Sequence, residues 1–395
     1  MPLLTDITPL REHPAFRRLL IGGTMSGAGW SMTNFANTLQ VWDATRSTTA
    51  TGALGVAALV PLLVVALPGG SLADRVDRRT LAMVMTVSQT AVSALFLADA
   101  LLAPAAGWLW VSYALVAAAN AVAGIRQPLQ QTFVPSLVTR AQLPAAMALS
   151  RLSNQATLIA GPALAGLVAG AVGVRGCYVM TTVTFAVSSY GIARLPASAS
   201  GGHAARGGGR ARLSDIASGL AFIWRSKALA GAFLADLNAT FFALPLSLFP
   251  AINAERFGGD PRTLGLLPAA IGAGGMITAA LSGPVAKLSR HGLAMLVTVS
   301  VWGAAFAVFA VASWLWLTLL ALAVAGAADS FTVVFRGIIV QRVAPDEFRG
   351  RVNAADFAIG AGGPNLGSLE SGLVGSLTSP VISALTGGLL AIVGG

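Results

Sequence analysis

Apolar residues run along this chain in stretches of about twenty, the length of helix needed to cross a hydrocarbon core. They fall near 17–42, 51–73, 80–102, 108–134, 143–170, 175–194, 228–251, 264–286, 291–312, 314–342, 350–375 and 378–394. The breaks between them are short, so neighbouring helices should pack as antiparallel pairs. The pattern predicts an all-α membrane protein with twelve transmembrane helices. A Gly- and Arg-rich stretch, 195–213, cannot bury a core and reads as a flexible cytoplasmic linker between bundles at 1–194 and 214–395. The helix expected after it, Leu213 to Ser226, is amphipathic and suits the inner membrane surface.

The second half echoes the first. Gly161-Pro162 recurs as Gly363-Pro364, and Arg126 recurs as Arg336. The charged loop from Gly70 to Arg79 has a decayed counterpart between Gly283 and Arg290. Two pseudo-symmetric six-helix bundles follow from that duplication.

Composition strengthens the membrane reading. The chain is 55% hydrophobic and 10% charged, against about 25% charged in a soluble domain. The net charge of +10 does not argue for nucleic acid, because the cations are scattered over short loops. Arg11, Arg17, Arg18, Arg75, Arg78, Arg79 and the linker arginines fall on one side. Arg46, Arg175, Arg256 and Arg262 fall on the other. That bias places both termini in the cytoplasm. One cysteine, Cys177, excludes an intrachain disulfide. The sequence offers no zinc cluster and no G-x-x-x-x-G-K-[ST] loop, and no cofactor is expected.

Ionisable residues inside predicted spans mark candidate chemistry, because charges there are expensive. Asp236, Asp329 and Asp356 are candidate proton carriers, with Arg126 and Arg336 as their counter-charges. Asp236 has no charged neighbour in its own helix, which favours it as the carrier. Asp329 is expected to pair with Arg336, seven residues on, or with Arg126. Trp30, Asn34, Asn37, Asn154 and Thr240 are candidate linings of a substrate cavity. Gly161, Pro162 and Gly166, with Gly363 and Pro364, are expected to bend their helices. The alternative for the polar set is hydrogen bonding between helices.

The stretch from Gly69 to Arg79, Gly-Gly-Ser-Leu-Ala-Asp-Arg-Val-Asp-Arg-Arg, resembles the loop signature G-x-L-A-D-R-x-G-R-R of the major facilitator superfamily. Asp77 stands where that pattern has its second glycine. His13-Pro14-Ala15-Phe16-Arg17-Arg18, Phe249-Pro250-Ala251 and Gly350-Arg351-Val352-Asn353 resemble the siderophore and drug exporter branch, that of the enterobactin exporter. The resemblance implies a proton-coupled secondary transporter of the bacterial cytoplasmic membrane. It would export a siderophore or drug-like molecule by alternating access, as a monomer. It also implies that Gly70, Asp74, Arg75, Arg78, Arg79 and Arg351 form a gate. Arg126 resembles the superfamily's fourth-helix arginine, and Gly161 to Gly166 a shortened exporter signature. Import of a small metabolite and a non-transporting receptor are the competing readings. An enzyme is disfavoured, since the spans carry no nucleophile–histidine pair or metal cluster.

Overall fold

The computed structural model describes the backbone of residues 6–75, 77–102, 109–194, 213–285 and 290–395. Side chains of 67–75, 78, 127–128, 130–132, 213–215 and 279–285 lie outside the description. So does the linker expected at 195–213, apart from its last residue. The described residues form helices and turns: α1 Thr8–Glu12, α2 Pro14–Thr45, α3 Thr48–Arg75, α4 Arg78–Leu102, α5 Leu109–Leu137, α6 Leu143–Ala193 and α7 Leu213–Arg225. They continue with α8 Lys227–Phe242, α9 Phe249–Arg256, α10 Pro261–Val285, α11 His291–Val311, α12 Leu315–Val343, α13 Asp346–Leu377 and α14 Pro380–Gly394. Within the described residues each apolar stretch expected from the sequence falls on helix, apart from a break in the seventh. Among the described residues, seven spans are long and apolar enough to cross a membrane.

The packing divides the chain into two compact units, Met1–Asn37 with Val60–Arg210, and Thr38–Leu59 with Ala211–Gly395. The boundary expected at 194 groups all of α2 and α3 with the first half. By packing, Thr38–Leu59 goes with the second. There the small residues of α3 sit on α13: a Cβ at Gly52 or Gly55 would run into the backbone oxygens of Ser368 and Asn365. The Thr48 hydroxyl donates to the Gly372 carbonyl at 2.8 Å.

In unit 1, α4 packs along α5 and α6. Phe96 on α4 stacks on Tyr178 on α6 with ring centroids 5.4 Å apart. The fifth and sixth expected spans are one helix by hydrogen bonding. It is interrupted at Gly173, which takes φ 75° and ψ 180°, a conformation that excludes side chains. The expected bend at Gly161-Pro162 is not where helical dihedrals are lost. Gly161 instead lets Ser31 of α2 approach, as its Cβ would overlap the Ser31 side chain. The start of α2 is pinned by Phe16, fully buried against Val134, Ala146 and Leu149. His13 and Gln142 share a hydrogen bond of 2.6 Å.

In unit 2, α10 crosses α12 through a pair of reciprocal glycines. Gly274 meets the Ala323 carbonyl and Gly326 the Ile271 carbonyl, each too closely for a Cβ. Gly124 on α5 does the same against the Leu62 carbonyl of α3, where a Cβ would lie at 2.9 Å. Gly326 stands as far before Gly363 as Gly124 stands before Gly161, so the duplication holds at the level of close approaches. Without a hydrophobic force between helices in lipid, such approaches supply the packing.

The seventh expected span, 228–251, is broken rather than continuous. α8 stops at Phe242, and a 3-10 turn at Leu246–Leu248 leads into α9. Pro245 and Pro250 account for the break, since neither can donate a backbone hydrogen bond. The exposed backbone is satisfied by neighbours, as it must be inside a membrane: Thr51 donates to the Ser247 carbonyl at 2.9 Å, and the Ser247 and Ser371 hydroxyls bond at 3.0 Å. Gly367 of α13 meets the Phe241 carbonyl, so α13 passes close by.

Candidate functional site

The charged side chains of unit 2's helices converge. Arg336 on α12 forms an ion pair with Asp236 on α8. Its Nε lies 3.1 Å from Asp356 Oδ1 on α13, close enough for an ion pair but not aligned as a hydrogen bond. The side chains of Arg336 and Asp236 are 10% and 4% exposed, so the pair is withdrawn from solvent, whereas Asp356 is 36% exposed. Phe233, one turn before Asp236, places its ring 5.7 Å from the Arg336 guanidinium. Three helices thus hold one cation between two carboxylates and an aromatic face. That satisfies the rule that a buried charge must be paired.

Sequence reasoning does not reveal these partners. Asp236, with no charged neighbour in its own helix, carries the closest ion pair, to Arg336 of α12. Asp329, for which Arg336 and Arg126 are the candidate partners, makes no ion pair or hydrogen bond among the described residues. The heptad spacing of Asp329 and Arg336 puts them on one face, but two other helices offer carboxylates closer to the guanidinium. Periodicity along one helix cannot reveal this.

The polar cavity candidates scatter. Thr240 is buried; its hydroxyl donates to the Asp236 carbonyl at 2.9 Å and meets Gly363. Asn37 is buried with Oδ1 unbonded. Asn34 and Asn154 are exposed, and Trp30 is half-buried. Gly166 is buried in α6 and Pro364 lies inside α13. In unit 1, Arg126 donates from Nη1 to the Ser26 hydroxyl at 2.9 Å. No carboxylate among the described residues forms an ion pair with it. A recess of about 710 Å³ lined by Phe257, Trp314 and Trp316 lies elsewhere and holds no charged side chain.

Of the gate candidates, the side chains of Asp74, Arg75 and Arg78 and the surroundings of Gly70 lie outside the described residues. Arg79 donates to the Ala193 carbonyl at 2.5 Å and Arg18 to the Arg194 carbonyl at 3.2 Å, so both satisfy the end of α6. Arg351 stacks on Phe348 of its own helix at 5.3 Å. Asp77 has a role the sequence signals but that reading by resemblance passes over. Its carboxylate accepts from the Thr80 N–H and hydroxyl, each at 2.8 Å, and caps α4. Arg256 is likewise engaged with a helix end, donating to the Phe309 and Ala310 carbonyls of α11 and to that of Ala312 just beyond it.

Helices that expose apolar side chains along their length and bury an ion-paired cluster define a membrane-embedded protein. A family model for transmembrane secretion effectors matches residues 4–395. The chain belongs to that family, within the major facilitator superfamily. It is 26% identical over 402 residues to the enterobactin exporter EntS of Shigella boydii serotype 18, covering 99% of this chain and 92% of that one. The enterobactin exporter EntS of Citrobacter koseri is 27% identical over the same shares. Among solved structures, the nucleoside transporter NupG superposes with a TM-score of 0.77 at 14% identity, covering 96% and 97% of the two chains. A bacterial homologue of the iron transporter ferroportin in an inward-facing state superposes at 0.70 with 16% identity, over 96% and 97%. These likenesses give the major facilitator fold. The protein is a multi-pass transporter of a small molecule in the bacterial inner membrane.

Proposed function

We propose that this protein exports a siderophore or drug-like molecule by proton antiport and alternating access, with both termini in the cytoplasm. The names of the relatives support outward movement of a siderophore. The observation that carries the coupling is the cluster around Arg336. It sets two carboxyl groups, Asp236 and Asp356, against one guanidinium, and Asp329 stands two turns before Arg336 on nearly the same face of α12. With all of them ionised the cluster is left with excess negative charge in a medium that solvates charge poorly. A bound proton removes part of that excess, and Asp329 is its place, because Asp236 and Asp356 already share Arg336. When the helices move, Arg336 can exchange one carboxylate for another and free a site for the proton. The gate role of Asp74, Arg75, Arg78 and Arg351 rests on the loop signature, and monomeric action on the absence of any need for a second chain in this scheme.

The test is export from proteoliposomes across a panel of iron chelators and antibiotics, with and without an imposed pH gradient. Gradient-dependent accumulation of one class supports the reading. Transport indifferent to the gradient contradicts the coupling, and movement only in the inward direction favours the importer.

A further inference from the structure

Arg336 and Arg126, one in each unit, are compensated in opposite ways. Arg336 lies between carboxylates. Among the described residues Arg126 bonds only a hydroxyl, that of Ser26, and its Nε is buried without a hydrogen-bond partner. The described side chains of α2 to α6 include two carboxylates, and both are engaged elsewhere. Asp43 pairs with Arg46, and Asp99 accepts from Ser112. Arg126 lies roughly 16 Å along its helix from the end of α5, deep enough that an uncompensated cation is costly.

Its surroundings suit an oxygen anion. Ser26 is 1% exposed. Two residues before it, Thr24 bonds the Ser153 hydroxyl on α6. The site therefore has a fixed guanidinium and a fixed hydroxyl, and no described side chain brings it a negative charge.

We propose that Arg126 and Ser26 form a subsite for an oxyanion of the transported molecule, a carboxylate or phenolate. This rests on the transport reading above and narrows the cargo to acids. The cargo supplies the charge that the protein supplies to Arg336 from its own helices. A guanidinium offers such a group two parallel hydrogen bonds, and one of its nitrogens is already held by Ser26.

The experiment is equilibrium titration of the full chain, in detergent and without any gradient, with salicylate and with methyl salicylate. The expected result is binding of salicylate about tenfold or more tighter than its ester, in line with hydrogen bonds to a charged group. Arg126→Gln should abolish that preference and Arg126→Lys should keep part of it. Ser26→Ala should weaken salicylate about threefold, the loss of one orienting contact. Absence of a preference in the wild type, or an undiminished preference in folded Arg126→Gln, overturns the proposal. If Arg126→Gln does not fold, Ser26→Ala decides: unchanged salicylate affinity overturns it. Binding at equilibrium is independent of direction and coupling. A preserved preference with no gradient-driven export would count against the antiport reading alone.

Discussion

Arg336 on α12 is held by Asp236 on α8, and the pair is withdrawn from solvent. Removing one partner of a buried pair leaves the other as an unpaired charge, at a cost of about 3–5 kcal/mol. Asp236→Asn should therefore lower the melting temperature of the purified protein strongly. Asp356→Asn should lower it less, because Asp356 is more exposed and its contact poorly aligned. The double variant Asp236→Asn with Arg336→Gln should be more stable than the sum of the single losses, as contacting residues are not additive. Additive losses would show that the pair contributes nothing as a pair.

Close helix approaches give a second test. Gly326→Ala drives a methyl into the Ile271 backbone, where neither helix can yield cheaply. A loss of about 1–3 kcal/mol or more is expected, read as reduced yield of folded protein. Gly337, on the same helix, has nothing within 4 Å of its missing Cβ. Gly337→Ala should be neutral or stabilise by about 0.5–1 kcal/mol. Equal effects at the two positions would contradict the packing described.

Asp77 should be replaceable only at a cost. Its loss removes two hydrogen bonds at the start of α4, and Asp77→Ala is expected to destabilise by about 1 kcal/mol. Asp77→Asn and Asp77→Ser, which also cap helices, should recover most of it. If the residue acts only through its charge, Asn and Ala will behave alike.

The transporter class, the duplication and the ionisable residues are legible in the sequence. Apolar runs long enough to cross a bilayer, repeated along a whole chain, point to a membrane by length alone. Asp236, Asp329 and Arg336 stand out against them. What is not legible is which carboxylate meets which guanidinium. Asp236 and Arg336 are far apart in sequence, and their pairing depends on how α8, α12 and α13 cross. Gly173 and Gly161 show the same limit. Both are glycines in one helix, yet only Gly173 has a left-handed φ, while Gly161 serves as a place for Ser31 to approach. Asp77 is readable locally, since an aspartate just before a helix can accept from the N–H three residues on.

Near the N-terminus, the Thr8 hydroxyl and N–H donate to the Asp6 carboxylate, and these bonds hold its pKa below the ordinary 3.8. A depressed folded value means that the stabilisation is full above the unfolded pKa. It is lost as pH falls through the folded one. Exchange of the Thr8 amide hydrogen, corrected for intrinsic rates, should accelerate over that acidic window, and Asp6→Asn should remove the dependence. A rate ratio between the two proteins that is flat with pH would contradict the assignment.

In the proposed cycle the coupled proton travels on the cluster around Arg336, with Asp329 as its carrier. Asp329→Asn should be reconstituted and compared with wild type for two activities: uphill export driven by a pH gradient, and exchange of labelled for unlabelled cargo at equal pH. Uphill export should be lost and exchange retained. Uphill export by Asp329→Asn at the wild-type rate would contradict the assignment of the carrier.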